Sequence, residues 1–229
     1  MKHLDELEER LVHDHGFFAT VINSLTISVS DMFRDPSFYL AFRERVLPLI
    51  RTYPWIHIWH AGCATGEEVY STAILLFEEG LYDRVQIYAT DLNVSVLEQA
   101  QSGVYPAKWV RQFTSNYYQS GGKKSFADYY RSAYERIVMK EHLKKNIFFF
   151  QHDLVCDKVF CEPQVIFCRN VLIYFDNDLR RNVLQKFKQS LCRGGFLCLG
   201  SSENLPKNLS TLTGFRDFFV KEHVYRSHE

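Results

Sequence analysis

The stretch Trp59–Tyr70, WHAGCATGEEVY, constrains the fold more than any other. Ile56, Ile58 and Trp59 are β-branched or aromatic and suit a buried pleated strand. Val69, Ala73, Leu76 and Phe77 then recur at helical spacing. Between the two runs, Gly62, Cys63, Ala64, Thr65 and Gly66 are small enough to let a ligand approach the main chain. The segment predicts strand, tight turn and helix, the local architecture of a nucleotide-type site. Two carboxylates, Glu67 and Glu68, open the helix. They suit its dipole but repel a pyrophosphate, so the turn predicts a ligand without phosphates and preferably a cationic one. S-adenosylmethionine (AdoMet), an adenosine carrying a sulfonium and an ammonium group, meets that description. An ordinary strand-to-helix turn is the plainer alternative.

The rest of the chain extends this unit. Residues 3–24 carry apolar residues near helical spacing and predict one helix with an acidic outer face. Ser30 or Asp31 caps the next turn, and Pro36 fits the first position of a helix running to about Leu47–Ile50. Val85–Thr90 predicts a second strand ending at Asp91, about 25 residues past Gly66, where a carboxylate can accept both ribose hydroxyls. Capping the helix from Val94 is its other role, which Asn93 or Ser95 could take instead. Residues 104–145, rich in tyrosine and turn residues, predict an insertion: a helix near Lys108–Thr114, then a small antiparallel ribbon that includes Arg136–Met139. Asn146–Phe150 and Val165–Cys168 predict the third and fourth strands. Asp153 after the third offers a carboxylate and an adjacent N–H to adenine, and Asn170 and Tyr174 follow the fourth. A long helix from Asp176 or Asn177, stopped at Gly194-Gly195, leads to a fifth strand, Phe196–Leu199, and a final hairpin around Lys221–His223. The expected architecture is α/β, a mostly parallel Rossmann-like sheet whose ligand-binding edge lies at the carboxyl ends of the strands.

Several classes are disfavoured. Lys+Arg 27 against Asp+Glu 27 leaves no broad electrostatic footprint for nucleic acid. Six cysteines without a C-x-x-C pair predict reduced thiols, neither a metal site nor a disulfide frame. No apolar run is long enough to span a bilayer, and a cytoplasmic protein is expected.

The motifs FRDP, AGCATGEEVYS, ATDLN, HDL, CRNVLIYF and LGSSE, in this order, resemble the chemotaxis-receptor glutamate O-methyltransferases, the CheR family. The resemblance runs from about Leu25 to the C-terminus. It implies a class I AdoMet-dependent methyltransferase domain over 55–229, with 104–145 as an inserted β-subdomain that in some members docks a receptor peptide. Residues 1–54 would be a short N-terminal helical segment, shortened or trimmed relative to the family. The implied reaction methylates glutamate side chains of a helical chemoreceptor, giving methyl esters and S-adenosylhomocysteine. Carried over by motif, Ser28, Ser30, Arg34, Ala61, Gly62, Glu68, Asp91, Leu92, Asp153, Leu154, Asn170 and Val171 would hold the cofactor, and Arg34 and Tyr174 would face the reaction centre. Ser28 and Ser30 stand where family members often have Asn and Thr. Arg51 is a further candidate for the site. A nucleic-acid amino methyltransferase would need a proline-rich turn after the fourth strand, which Asn170-Val-Leu-Ile-Tyr lacks. An AdoMet-binding docking module without turnover is the non-enzymatic alternative.

Overall fold

The computed structural model describes residues 30–205 and 214–228, together with Arg10 and Phe17. Apart from those two residues, the helix predicted over 3–24 lies outside the described chain, as does Ser28.

The described chain opens with helix α1 (Pro36–Ala41), a π-helical turn over Phe42–Val46, and α2 (Leu47–Ile50). Pro36 occupies the first turn of α1, as expected, Asp35 is its capping position with no side-chain cap bond, and the turn before it is closed by the Arg34 amide donating to the Asp31 carbonyl at 3.2 Å. Pro48 has no amide to continue the ladder, which fits the widened turn just before it. Strand β1 (Ile56–Ala61) leads through the small-residue turn into α3 (Glu67–Glu78), and β2 (Val85–Asp91) into α4 (Val94–Ser102). The insertion contains β3 (Val104–Pro106), α5 (Val110–Gln119), β4 (Tyr130–Ala133) and β5 (Arg136–Met139). Its sheet has three strands, ordered β3-β5-β4, one more than the predicted ribbon, and its helix is longer than expected. The extra strand has a tertiary cause. Val104–Pro106 is too short to read as a strand and becomes one only by pairing with β5. The short helix α6 (Glu141–Lys144) then returns the chain to β6 (Ile147–Gln151). After β7 (Val165–Cys168) come α7 (Asn177–Ser190), β8 (Phe196–Leu199), β9 (Phe215–Phe219) and β10 (Val224–Ser227).

The main sheet has seven strands in the order β6-β2-β1-β7-β8-β10-β9. The first five are parallel, and β10 runs antiparallel to both of its neighbours. The whole is the mostly parallel Rossmann-like sheet expected from the sequence. Strand alternation builds two cores, because successive side chains leave opposite faces. Ile56, Ile58, Val165 and Phe167 join α1, α2, α3 and the insertion on one side, while Trp59, Ile166, Cys168 and Leu197 pack with Val183, Leu184 and Phe187 of α7 on the other. Reversal of strand order between β1 and β7 leaves the carboxyl ends of β1, β2 and β7 around one crevice, where ligands of open α/β sheets bind.

Candidate functional site

At the end of β1 the main chain turns back on β2. Gly62 and Cys63 both donate to Thr90 O, at 2.8 and 2.9 Å, and Gly66 donates to Cys63 O at 3.0 Å. The Ala64 amide donates to Asp91 Oδ2 at 2.9 Å. Four amides of the turn are therefore already occupied, none of them left for a phosphate, which supports the phosphate-free ligand argued from charge. The turn also needs its glycines. Gly62 has φ +81°, and a Cβ there would stand 2.5 Å from Val171 Cγ2, so the segment after β7 lies directly on the turn.

The two glutamates part company. Glu67 is only 1% exposed, and Thr65 Oγ1 donates to its carboxylate at 2.6 Å. Burial pushes its pKa up to about 7, with the Thr65 hydroxyl opposing. The expectation that both carboxylates repel anions at the pocket is corrected: Glu67 is turned into the protein. Glu68 alone belongs to the site, its side chain 18% exposed. His60 Nδ1 lies 3.1 Å from Glu68 Oε1, and Arg169 Nη1 donates to Oε2 at 2.9 Å. Burial opposes its ionisation, but the His60 bond and the Arg169 charge together hold its pKa below the ordinary value.

Asp91 sits at the tip of β2, half-buried, with Oδ2 on the Ala64 amide and Oδ1 accepting from Asn93 N at 3.0 Å. Asn93 takes the capping role, accepting from Ser95 N at 2.9 Å, so Asp91 is not used up by α4. Burial raises the Asp91 pKa against the pull of its backbone donors. Leu92 follows it on the rim, its carbonyl accepting from Gln151 Nε2. Asp153 caps the next turn, its Oδ1 accepting from Val155 N and Cys156 N, and its own amide donates to Asp157 Oδ2 at 2.8 Å. The Asp153 amide is thereby occupied within the turn, and the next amide along is that of Leu154. Ala61 and Leu154 are buried at the same end of the sheet.

Beyond β7 the chain is held by two charged residues that sequence reasoning left out of the site. Arg169 is buried. It bonds Glu68 on one side and Asp35 Oδ2 at 2.7 Å on the other, reaches the Arg34 carbonyl at 3.5 Å, and lies over the Phe38 ring. Glu203, also buried, accepts from four amides: Asn170 N and Gly200 N at 2.7 Å on Oε2, Val171 N at 2.8 Å and Ile173 N at 3.3 Å on Oε1. This carboxylate holds Asn170 in the left-handed region, φ 61°, and fixes the turn that presents Tyr174. Tyr174 is 61% exposed and so is not a core aromatic. Arg34 is exposed on the FRDP turn, and Ser30 precedes that turn. Asp35 is engaged by Arg169, not by Arg34. Arg51 does not belong here: it pairs with Glu79 just beyond the far end of α3, about 18 Å from the helix start at 1.5 Å per residue. The motifs LGSSE and CRNV contain both missed residues. Their partners lie 33 and 134 residues away, and no local pattern announces them.

A cleft of about 840 Å³ runs along β3 between Gln99, Tyr105, Lys108 and Arg136, and none of the predicted site residues lines it. Among the described residues there is no cluster of groups able to hold a metal, and no helix is long and apolar enough to cross a membrane. All six cysteines are free.

The acceptors gathered on the rim, the Glu68 and Asp91 carboxylates beyond the ends of β1 and β2, beside occupied turn amides, fit a phosphate-free cationic nucleoside. Known proteins agree. The family model described as CheR methyltransferase, SAM binding domain, matches residues 28–216. A Pseudomonas putida protein bearing the name methyltransferase Cher3 is 51% identical over 87% of this chain and 73% of its own. The chemotaxis protein methyltransferase of Listeria monocytogenes is 32% identical over 94% of this chain and 81% of its own. Chemotaxis protein methyltransferase 2 of Vibrio cholerae is 31% identical over 91% and 73%. With the sheet, the acidic turn and these relatives in agreement, the chain belongs to the CheR family of AdoMet-dependent methyltransferases.

Proposed function

We propose that this protein transfers the methyl group of AdoMet to glutamate side chains of a helical chemoreceptor-type protein, giving glutamate methyl esters and S-adenosylhomocysteine. The observation that carries the reading is Arg169. Its Nη2 donates to Asp35, its Nη1 donates to Glu68 and reaches the Arg34 carbonyl, and the chain runs on from it into Asn170–Tyr174, which supports reading Arg34 and Tyr174 as facing one reaction centre. AdoMet supplies an electrophilic methyl group on a sulfonium. In this reading Glu68 takes the cofactor's ammonium group, Asp91 its ribose hydroxyls, and Asp153 with the Leu154 amide its adenine. Ser30, Ala61, Gly62, Leu92, Asn170 and Val171 complete the wall.

The acceptor needs no general base. A glutamate carboxylate, with a reference pKa near ~4.3, is already ionised at neutral pH. What remains is to align oxygen, methyl carbon and sulfur and to exclude water. Arg34 suits one task, because its planar fork can hold the second carboxylate oxygen. The exposed Tyr174 hydroxyl suits another, donating to the acceptor. A receptor peptide would bind at the inserted sheet, whose edge strand β3 borders the open cleft.

Labelled methyl from AdoMet, offered with a purified receptor fragment, tests the reading directly. Base-labile label on the receptor supports an ester. Stable label on nucleic acid, or cofactor binding with no transfer to receptor glutamates, removes the assignment.

A further inference from the structure

The insertion touches the site in two places that its role as a docking platform does not require. Tyr105, fully buried on β3, donates its hydroxyl to Thr65 O at 2.8 Å, inside the cofactor turn. The fit is close: a Cβ at Gly66 would lie 3.2 Å from that hydroxyl. Asn116, buried on α5, donates to Met32 O at 3.0 Å, and Gln112 Nε2 donates to Asn116 Oδ1 at 2.8 Å and so orients the amide.

Met32 belongs to the FRDP turn, which is strained. Phe33 and Asp35 both stand in the left-handed region, φ 53° and 55°, where non-glycine residues cost free energy and a bulky aromatic is an outlier. Such a conformation persists only where the surroundings over-determine it. Three contacts do so: Ser71 Oγ accepts from Phe33 N at 2.8 Å, Arg169 holds Asp35, and the insertion contributes Asn116 with the Tyr117 ring packed edge-on against Phe33.

We propose that the inserted subdomain is a working part of the active site, in which Tyr105 is a positioning residue for the cofactor turn and Asn116 a positioning residue for the turn that carries Arg34. The two roles are separable. Tyr105 acts on cofactor affinity, and Asn116 acts on handling of the methyl acceptor. The second role rests on the glutamate-methylation reading. The first rests only on the cofactor site.

The test compares Tyr105→Phe and Asn116→Leu in the whole protein by calorimetry with S-adenosylhomocysteine, steady-state methyl transfer to a receptor fragment, and thermal melts to confirm folding. Tyr105→Phe should raise the Kd for S-adenosylhomocysteine about 3- to 10-fold, the worth of roughly one buried hydrogen bond. Asn116→Leu should leave that Kd within about twofold and lower kcat/KM for the acceptor about 10-fold. Variants that melt earlier yet keep wild-type Kd and kcat/KM below their melting range would overturn the proposal, as would a reversed or missing split. Should the wild-type protein transfer no methyl to the receptor, the acceptor reading fails, while Tyr105→Phe calorimetry still decides whether the insertion positions the cofactor turn.

Discussion

Helix α3 carries an ion-paired carboxylate near each end, Glu68 and Glu78, and the two serve opposite purposes. Glu68, in the first turn, accepts from His60 and Arg169 and keeps an exposed edge. A carboxylate has about four lone-pair positions, so Glu68 retains room for a cationic ligand. Glu78, in the last turn, is fully buried. Its Oε1 accepts from Tyr117, from Tyr129 at 2.9 Å and from Lys123 N at 3.0 Å, while Oε2 accepts from Arg43 at 2.8 Å. All its positions are filled, and they tie the first helices and the insertion to α3. Both carboxylates are held below their ordinary pKa against the cost of burial, Glu78 chiefly by Tyr117, Lys123 and Arg43 and Glu68 by His60 and Arg169. Ionisation alone thus does not mark a binding residue. Unfilled acceptor capacity at an open edge does.

The sharpest way to break this contrast is Glu78→Ala. It leaves two tyrosine hydroxyls without their acceptor and removes one of the two carboxylates that hold Arg43, Glu79 keeping the other end, and the expected loss is about 3–4 kcal/mol of stability in urea unfolding. Affinity for S-adenosylhomocysteine in the folded protein should stay unchanged. A variant equally stable but weak for cofactor would reverse the assignment of the two ends.

Glu67 gives the next effect, through pH. Its folded pKa, about 7, lies above its ordinary value of 4.5, so the folded state holds the proton more tightly. The stability tied to that proton is complete below about pH 4.5 and is lost as pH rises through 7. The shift corresponds to roughly 3 kcal/mol. Glu67→Gln should therefore gain up to that amount over wild type at pH 8 and almost nothing at pH 4.5. Parallel unfolding curves at both pH values check this, and an equal gain at each would show that Glu67 does not titrate in the predicted window.

Smaller effects separate the cofactor contacts. Glu68→Gln and Asp91→Ala should each weaken AdoMet by about 10- to 30-fold, near 2 kcal/mol for a charge-assisted contact. Binding unchanged in Asp91→Ala would remove the ribose assignment. Tyr174→Phe should leave AdoMet affinity within about twofold and lower kcat about 10-fold, by loss of one hydrogen bond made in the transition state. A purely cofactor-side defect would move Tyr174 away from the acceptor.

Much of this was legible in the residues. Val165–Cys168 and Phe196–Leu199 coincide with their predicted strands, since both are short apolar runs bounded by turn residues. Asp91 was placed at the tip of β2 because strand register and the glycine turn fix its position. Glu67 was misjudged because its position at the helix start does not say which way its side chain faces. That was settled by Thr65 and by packing. The third strand of the insertion was hidden for a similar reason: three residues carry no period, and only β5 makes them a strand.

Taken alone, the sequence determined the order of the main-sheet strands and their helices, the small-residue turn and the family, because hydrophobic period, turn chemistry and contiguous motifs are local properties of a chain. The tertiary structure decided which polar groups meet. Arg169 finds Asp35 across 134 residues, Asn116 finds Met32 across 84, and Tyr105 finds Thr65 across 40. Such pairs form only when separate elements are packed and buried donors must find acceptors. That requirement, which no local pattern records, ties the insertion both to the FRDP turn and to the turn after β1.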